Sequence, residues 1–405
     1  MKIGYFIQNY KRGGVNTFIK NLTSTNIYKD KIFIISNHNN PGIKFLKNIS
    51  KKNIKFLTYS IFSWDTILNN KFHIIIINIF KIVYSVFFPI FFIYQIYRLK
   101  NFFKKNYFDK IMIVNGGYPG GDLCLAAVIA WNKIYPQKKP WINFHNFALR
   151  KYRFFLLDFY KNFVDGIISK SIKGFVSVSK VCSKSILKRK NLKKSKIVTI
   201  YNGYLNSKKE KKFFLKKKFR LPKNSKILLM LAEYDLRKGH KFIIKVMENI
   251  IKKDKNIFLL IYGYGEKNPV KKLVIKSYAN KNIFLNDFEE NNIGLISECD
   301  ALVIPSQEYE SFGYTALEAI SKKKPVIATD CGGLPEVIIN NVTGFIVKKD
   351  NPVMFANKIL DLIYNKKIRK KFSVNSYKDL KKRFSHIKMI KSYNNLIKYN
   401  NVAKL

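Results

Sequence analysis

Glu310 and Glu318, with seven residues between them, are a pair of carboxylates placed to meet one ligand from two sides. Phe312-Gly313 lies between them and opens a helical pattern from Tyr314 to Ile320. A helix start offers unpaired N–H groups and the positive end of a dipole, which suits a phosphate. Carboxylates on either side can accept hydrogen bonds from sugar hydroxyls. A ligand with sugar, phosphates and sugar in a row fits that arrangement. The flanking elements must position these groups. Ala301 to Ile304 is an apolar run short enough for a buried strand, and Pro305-Ser306 ends it. A polar loop, Gln307 to Glu310, leads into the helix, which Lys322 to Lys324 close at its negative end. Pro325 to Ala328 reads as a second buried strand, broken by Gly332-Gly333. Strand, loop, helix, strand is a βαβ unit. Its loops gather at the carboxyl ends of the strands, where open α/β sheets bind ligands.

The run from Asp300 to Val347 resembles the donor-binding signature of the retaining glycosyltransferases of family 4, which have the GT-B fold. Glu310, Phe312, Gly313, Glu318, Pro325, Val326, Gly332, Gly333 and Glu336 fall in register, with Pro305-Ser306 before them and Gly344-Phe345 after. The resemblance implies transfer of a sugar from a nucleotide-sugar to an acceptor hydroxyl, with retention at the anomeric carbon. It implies that Glu310 binds the transferred sugar or steadies positive charge at its anomeric carbon. Glu318 would take the ribose hydroxyls, with Phe312, Gly313 and Tyr314 among the donor contacts. The leaving group is a nucleoside diphosphate, so catalysis is largely stabilisation of developing phosphate charge.

Upstream, Ile227 to Leu231 reads as a strand, followed by the loop Ala232 to His240. That loop resembles the family loop in which an Arg and a Lys five residues later grip the donor diphosphate. Lys238-Gly239 is present, but Glu233 stands at the Arg position. A carboxylate repels a diphosphate, so Lys238 and the adjacent Arg237 are the candidate cations. After the strand Ile257 to Ile261, Gly263-Tyr264-Gly265 is similar to the family's nucleotide-lining Gly-x-Gly. Ile283 to Leu285 is a further strand, and Met354 to Lys382 is helical. A last helix, Ser385 to Tyr399, carries Ile387, Ile390, Tyr393, Leu396 and Ile397 on one stripe that needs a covering surface. In GT-B proteins this helix crosses back onto the first domain, and the same is expected here.

The chain opens on a strand, too short an apolar run for a signal peptide. The Gly13-Gly14 loop and a helix with Phe18, Ile19 and Leu22 follow. The loop is not G-x-G-x-x-G, so a dinucleotide is not implied. Relatives similarly carry Gly-Gly here, meeting donor phosphates or acceptor; a tight turn is the plainer alternative. Strands follow at Lys31 to Ser36, Ile54 to Thr58 and Ile111 to Val114. The last leads into Asn115-Gly116-Gly117-Tyr118-Pro119-Gly120-Gly121-Asp122, a candidate acceptor loop entering a helix at Leu123 to Trp131. Trp141 to Phe144 ends at His145, which resembles the family's His that reaches the donor sugar and reacting centre.

The chain has 405 residues, the length of two domains, and 47% hydrophobic content. Its 76 Lys and Arg against 25 Asp and Glu leave a formal charge of +51. That balance favours an anionic membrane surface or a polyanion, although abundant Lys, Ile, Asn, Phe and Tyr together also mark an AT-rich genome. Cys124, Cys182, Cys299 and Cys331 are scattered, which argues against a metal site or disulfide framework and suits a reducing cytosol. With no Asp-x-Asp motif, no metal or cofactor is expected.

His73 to Tyr97 is nearly all apolar, but its longest uncharged run, Ile82 to Tyr97, falls short of the ~20 residues that span a bilayer. Dense aromatics and the following Arg98, Lys100, Lys104 and Lys105 read as an interfacial helix; a core helix pair and a true span are the alternatives.

The expected fold is α/β GT-B, two Rossmann-like doubly wound domains facing a cleft. Residues 1–204 would bind acceptor, with an apolar insertion near 73–105. Residues 205–383 would bind donor, and 384–405 would return to the first domain. The expected partners are a nucleotide-sugar, a lipid-linked glycan of surface-polysaccharide assembly (O-antigen, capsule or exopolysaccharide) and the anionic inner face of the plasma membrane. Nucleic acid is not expected, and the protein is expected to be cytoplasmic and peripheral. The alternatives are a catalytically degenerate glycosyltransferase-like binder and a basic polyanion-binding protein.

Overall fold

The computed structural model describes residues 1–10, 14–25, 30–47, 53–64, 74–152, 154–205 and 211–399. The chain divides into two compact units, Met1–Gly203 with His386–Leu405, and Tyr204–Ser385.

The first unit holds a seven-stranded sheet: β1 (Lys2–Ile7), β2 (Lys31–Asn37), β3 (Ile54–Tyr59), β4 (Lys110–Asn115), β5 (Trp141–Phe144), β6 (Gly174–Ser177) and β7 (Ile197–Thr199). All neighbours pair in parallel, in the order β3-β2-β1-β4-β5-β6-β7. Parallel sheets are covered on both faces, which is why Tyr5-Phe6-Ile7 and Met112-Ile113-Val114 are apolar without alternation. The helices are α1 (Gly14–Thr23), α2 (Ile43–Lys47), α3 (Ile74–Lys105), α4 (Asp122–Ile134), α5 (Phe155–Ser171) and α6 (Lys180–Ile186). Ser179 caps α6 by accepting from the Cys182 N–H. The chain winds from β1 out to β2 and β3, then α3 carries it back to β4. The strand order therefore reverses between β1 and β4.

α3 is one 32-residue helix with Pro89 inside it, where a pair of helices was one expectation. His73 lies outside the described residues. Tyr84, Phe88, Phe92, Leu99 and Phe103 are buried. Phe103 meets Trp131 of α4 edge-on at 5.4 Å, and Phe88 stacks on Tyr160 of α5 at 6.1 Å. One face of the segment is thus core. By length and composition the helix could cross a bilayer, but that face is built into the unit.

The second unit repeats the design with six parallel strands, β8 (Lys226–Leu231), β9 (Ile257–Tyr262), β10 (Ile283–Asn286), β11 (Ala301–Ile304), β12 (Val326–Thr329) and β13 (Phe345–Val347), ordered β10-β9-β8-β11-β12-β13. Its helices are α7 (Leu215–Lys218), α8 (His240–Ile251), α9 (Asn268–Ile275), α10 (Asn292–Glu298), α11 (Tyr314–Ser321), α12 (Leu334–Val337), α13 (Pro352–Tyr364) and α14 (Lys366–Arg383). The helical stretch after Met354 is two helices: Asn365 ends the first and caps the second, accepting from the Ile368 N–H at 3.0 Å. Here the order reverses between β8 and β11.

The last helix, α15 (His386–Tyr399), belongs to the first unit. Met389, Ile390, Tyr393, Leu396 and Ile397 join the core that contains Phe18 and Met112. Tyr393 meets Phe18 edge-on at 5.1 Å and accepts a 2.9 Å hydrogen bond from the Asn143 amide. Ile387, counted into that stripe from the sequence, is 37% exposed instead.

Candidate active site

In a parallel sheet every strand ends at the same edge, so the loops after β8, β9, β11 and β12 gather there. Glycines let them touch. Gly239 has φ +84°, and a Cβ on it would stand 1.8 Å from the Pro305 carbonyl oxygen. Gly332 has φ +57°, and its Cβ would lie 2.1 Å from the Glu310 carbonyl oxygen. No side chain fits at either place. The Gly333 N–H donates to that same Glu310 oxygen at 2.7 Å.

These contacts bring Lys238 and Glu310 together at the point where the strand order reverses, the place open α/β sheets use for ligands. The Lys238 ammonium lies 2.5 Å from Glu310 Oε2, and both are half-buried. Ser306 donates to the same oxygen at 3.3 Å. Sequence reasoning gave the lysine to the phosphates and the glutamate to the sugar; the fold makes them each other's counter-ion. An incoming anion can take the ammonium and release the carboxylate.

Arg237 is folded onto its own loop. Its Nε donates to Asp235 at 2.9 Å, its guanidinium lies 3.4 Å from Glu233, and it stacks over the Tyr309 ring at 5.0 Å. Glu233 is therefore paired with a cation, which weakens the repulsion that its carboxylate alone would exert on a phosphate. His240 holds the loop from below, with Nε2 2.9 Å from the Glu233 carbonyl oxygen.

Glu318 sits on α11, which starts after Gly313 at φ +90°. Burial pushes its pKa up to about 7, against the 2.8 Å hydrogen bond it accepts from Asn292. Phe312 does not offer its side chain to a ligand: the ring is buried and meets Phe384 at 5.8 Å. Only its backbone is available. Tyr314 is half-buried, its ring 6.4 Å from that of Tyr204. Gly263 and Gly265 have a steric role: a Cβ on Gly263 would stand 1.8 Å from the Ala232 oxygen, and Gly265 has φ +105°. Asn292 and Ser306 were missed as supporting residues. Ser306 lay within the strand-ending pair already read from the sequence, while nothing local marked Asn292.

In the first unit, Asn115, Gly116 and Gly117 line a cavity of about 570 Å³ together with Gln8, Asn9, Tyr10 and Asp122. It opens at the reversal between β1 and β4. The Asn115 amide shapes its own loop, donating to Pro119 at 2.8 Å and accepting from Gly121 at 3.3 Å. Tyr118, expected to meet an acceptor, is instead part of the core. Its hydroxyl donates to Asp165 at 2.7 Å, and Asp165 accepts from Arg189 at 2.6 Å. His145 follows β5, its ring 4.4 Å from that of Phe18. Burial pushes its pKa down to about 3, so it is a neutral imidazole, and its Nε2 has no hydrogen-bond partner among the described residues. Gly14 begins α1 with open space where a Cβ would stand, so no tight turn demands it. Gly13 lies outside the described residues.

The cavity also holds Asp122, the end of the candidate acceptor loop, together with Lys161 and Tyr84, which sequence reasoning missed. The Asp122 carboxylate accepts from the Lys161 ammonium and the Tyr84 hydroxyl. Lys161 is buried, 4.4 Å above the Phe88 ring. A signal existed: Lys161 and Asp165 fall on the Leu157-Val164-Ile168 stripe of α5, where an unpaired charge would not be tolerated.

Comparison with known proteins bears on the fold. A glycosyltransferase from Rickettsia africae superposes with a TM-score of 0.75 over 98% of both chains, at 22% identity. HepE from Anabaena, solved in complex with UDP, does so at 0.74 over 98% of this chain and 100% of its own, at 14% identity. The fold is thus GT-B. Residues 211–379, within the second unit, match the model of the family of glycosyl transferases, group 1. Among curated relatives, an uncharacterised glycosyltransferase of Methanocaldococcus jannaschii is 42% identical over 93 residues, 23% of this chain and 26% of the relative. The capsular polysaccharide biosynthesis glycosyltransferase CapM of Staphylococcus aureus is 25% identical over 68% of this chain and 74% of its own. The first three curated relatives are matched over 26% to 60% of their length.

Proposed function

We propose that this protein is a retaining glycosyltransferase of the family 4 type, moving a sugar from a nucleotide-sugar to a glycan acceptor hydroxyl. The observation that carries the proposal is the Lys238–Glu310 pair at the β8/β11 reversal, within the segment that matches the group 1 family model. The donor diphosphate takes the Lys238 ammonium and the backbone amides that start α11. Glu310, released, faces the transferred sugar and positive charge at its anomeric carbon. Glu318 accepts from the ribose hydroxyls. The bond from anomeric carbon to phosphate oxygen breaks as the acceptor oxygen attacks from the same face, and the leaving phosphate takes the acceptor proton. No covalent nucleophile is required, and the lysine and amides carry the charge with no metal assigned. In the first unit, the Asn115–Gly117 loop takes the acceptor. The UDP in HepE supports a nucleotide-sugar donor, and the name of CapM supports a polysaccharide product. A lipid-linked oligosaccharide handled at the inner face of the plasma membrane is the acceptor this reading selects.

Glu233 at the usual Arg position supports a second reading, a protein that binds donor without turnover. Screening UDP-sugars for binding by calorimetry and for hydrolysis separates the two. Lys238→Ala should lower kcat/KM about 10²- to 10³-fold, the range for losing one charge-stabilising donor. Arg237→Ala should raise donor KM only if the guanidinium leaves Glu233 for the diphosphate. Full turnover in Lys238→Ala would sink the assignment; tight donor binding with no hydrolysis or transfer would select the second reading.

A further inference from the structure

We infer that α3 and α5 together form the surface on which this protein docks to an anionic lipid bilayer, with the mouth of the first unit's cavity at its edge. This deepens the proposed function by naming a partner surface.

Helices on a protein surface normally turn polar residues to water. α3 does not. Opposite its buried stripe, Ile79, Ile82, Val86, Ile90, Ile93 and Tyr97 follow one another at steps of three and four, all exposed, Ile93 by 67%. α5 has the same character. Its buried side carries Leu157, Lys161, Val164 and Ile168, while Phe155, Phe159, Phe163 and Ile167 are exposed, Phe155 by 82%. The two helices touch through Phe88 and Tyr160. Two neighbouring stripes make one apolar surface, which a water-facing protein rarely leaves uncovered.

Charge selects what covers it. The α3 stripe ends at exposed Arg98, Lys104 and Lys105, and the α5 stripe ends at Lys170, with Arg150 and Lys151 exposed ahead of the helix. α3 contains no acidic residue. A second copy would set one basic rim against another, whereas anionic head groups complement it. An apolar helix with a basic end rests its apolar face at the boundary between head groups and acyl chains.

The cavity meets this surface. Asn78 and Lys81 line the cavity, and Ile79 and Ile82 beside them stand on the stripe. At the start of α5, Phe154 just before the helix and Leu157 on it line the cavity next to exposed Phe155 and Leu156. A ligand can therefore place a polar head in the cavity while its apolar tail stays in the lipid.

The test is co-sedimentation of the full chain, without donor, with phosphatidylcholine vesicles that contain or lack phosphatidylglycerol. Wild type should bind the anionic vesicles. Ile90→Glu with Ile93→Glu, and separately Phe159→Glu with Phe163→Glu, should each weaken binding roughly tenfold or more. Arg98→Gln with Lys104→Gln and Lys105→Gln should remove the preference for phosphatidylglycerol. Unchanged UDP binding and thermal melting in these variants would show that they fold. Absent vesicle binding overturns the inference, as does an α5 pair that binds like wild type. A wild-type dimer in sedimentation velocity that these pairs abolish also overturns it, because a second copy would then cover the face. Failure of wild type to bind UDP-sugars while vesicle binding persists would remove the sugar-transfer reading and leave the docking surface standing.

Discussion

Glu318 and His145 show how one fold pushes two ordinary side chains in opposite directions. Glu318 titrates near 7 rather than 4.5 because burial disfavours its charge. Between those values the folded chain keeps a proton that the unfolded chain has released, so stability falls as pH rises. Glu318→Gln should abolish that fall, gaining about 2 kcal/mol on wild type between pH 4.5 and 8 after allowance for solvent at a half-buried group. Urea unfolding at the two pH values measures it; a wild type and variant with the same pH dependence would exclude burial as the cause. His145, held near 3 against an ordinary 6.5, has the reverse sign: its penalty grows as pH falls below 6.5. Wild-type pH dependence mixes the two, which is why the single variant is needed.

At the scale of elements, the site is made by loops pinned to one another through glycine. Gly332→Ala would force a side chain into φ +57° and against the Glu310 oxygen. The loop must move and take Glu310 from Lys238. Melting temperature and kcat/KM should both fall, the rate roughly tenfold or more from misplacement alone. Gly14→Ala, with open space around it, is the stability control and should shift unfolding by no more than about 0.5 kcal/mol. If both variants melt alike, the glycine contacts do not set the site. Elements also divide what was legible from what was not. The βαβ unit from Ala301 to Thr329 could be read because its strands are short apolar runs bounded by proline and glycine. The asymmetry of α3 could not, because both its faces are apolar and carry no periodic signal.

At the scale of the molecule, the chain's last helix belongs to the core of the unit where the chain began. Tyr393 is fully buried between Phe18 and Asn143. Tyr393→Ala should destabilise the first unit by about 3–5 kcal/mol, the range for removing a large buried ring. In calorimetry the first unit's transition should move down while the second unit's, identified as the one that Gly332→Ala lowers, stays in place. Movement of both transitions together would mean that the units unfold as one.

Residue order alone determined the alternation of strands and helices, the two-domain plan and the glutamate spacing, because these rest on local periodicity and turn chemistry. Only the tertiary structure decided which polar groups meet. It paired Lys238 with Glu310 across a sequence gap of 72 residues, withdrew Tyr118 into the core, and placed Asp122 and Lys161 in the cavity. Such pairings depend on strand order and on close contacts between loops, and neither is encoded within any one stretch of the chain.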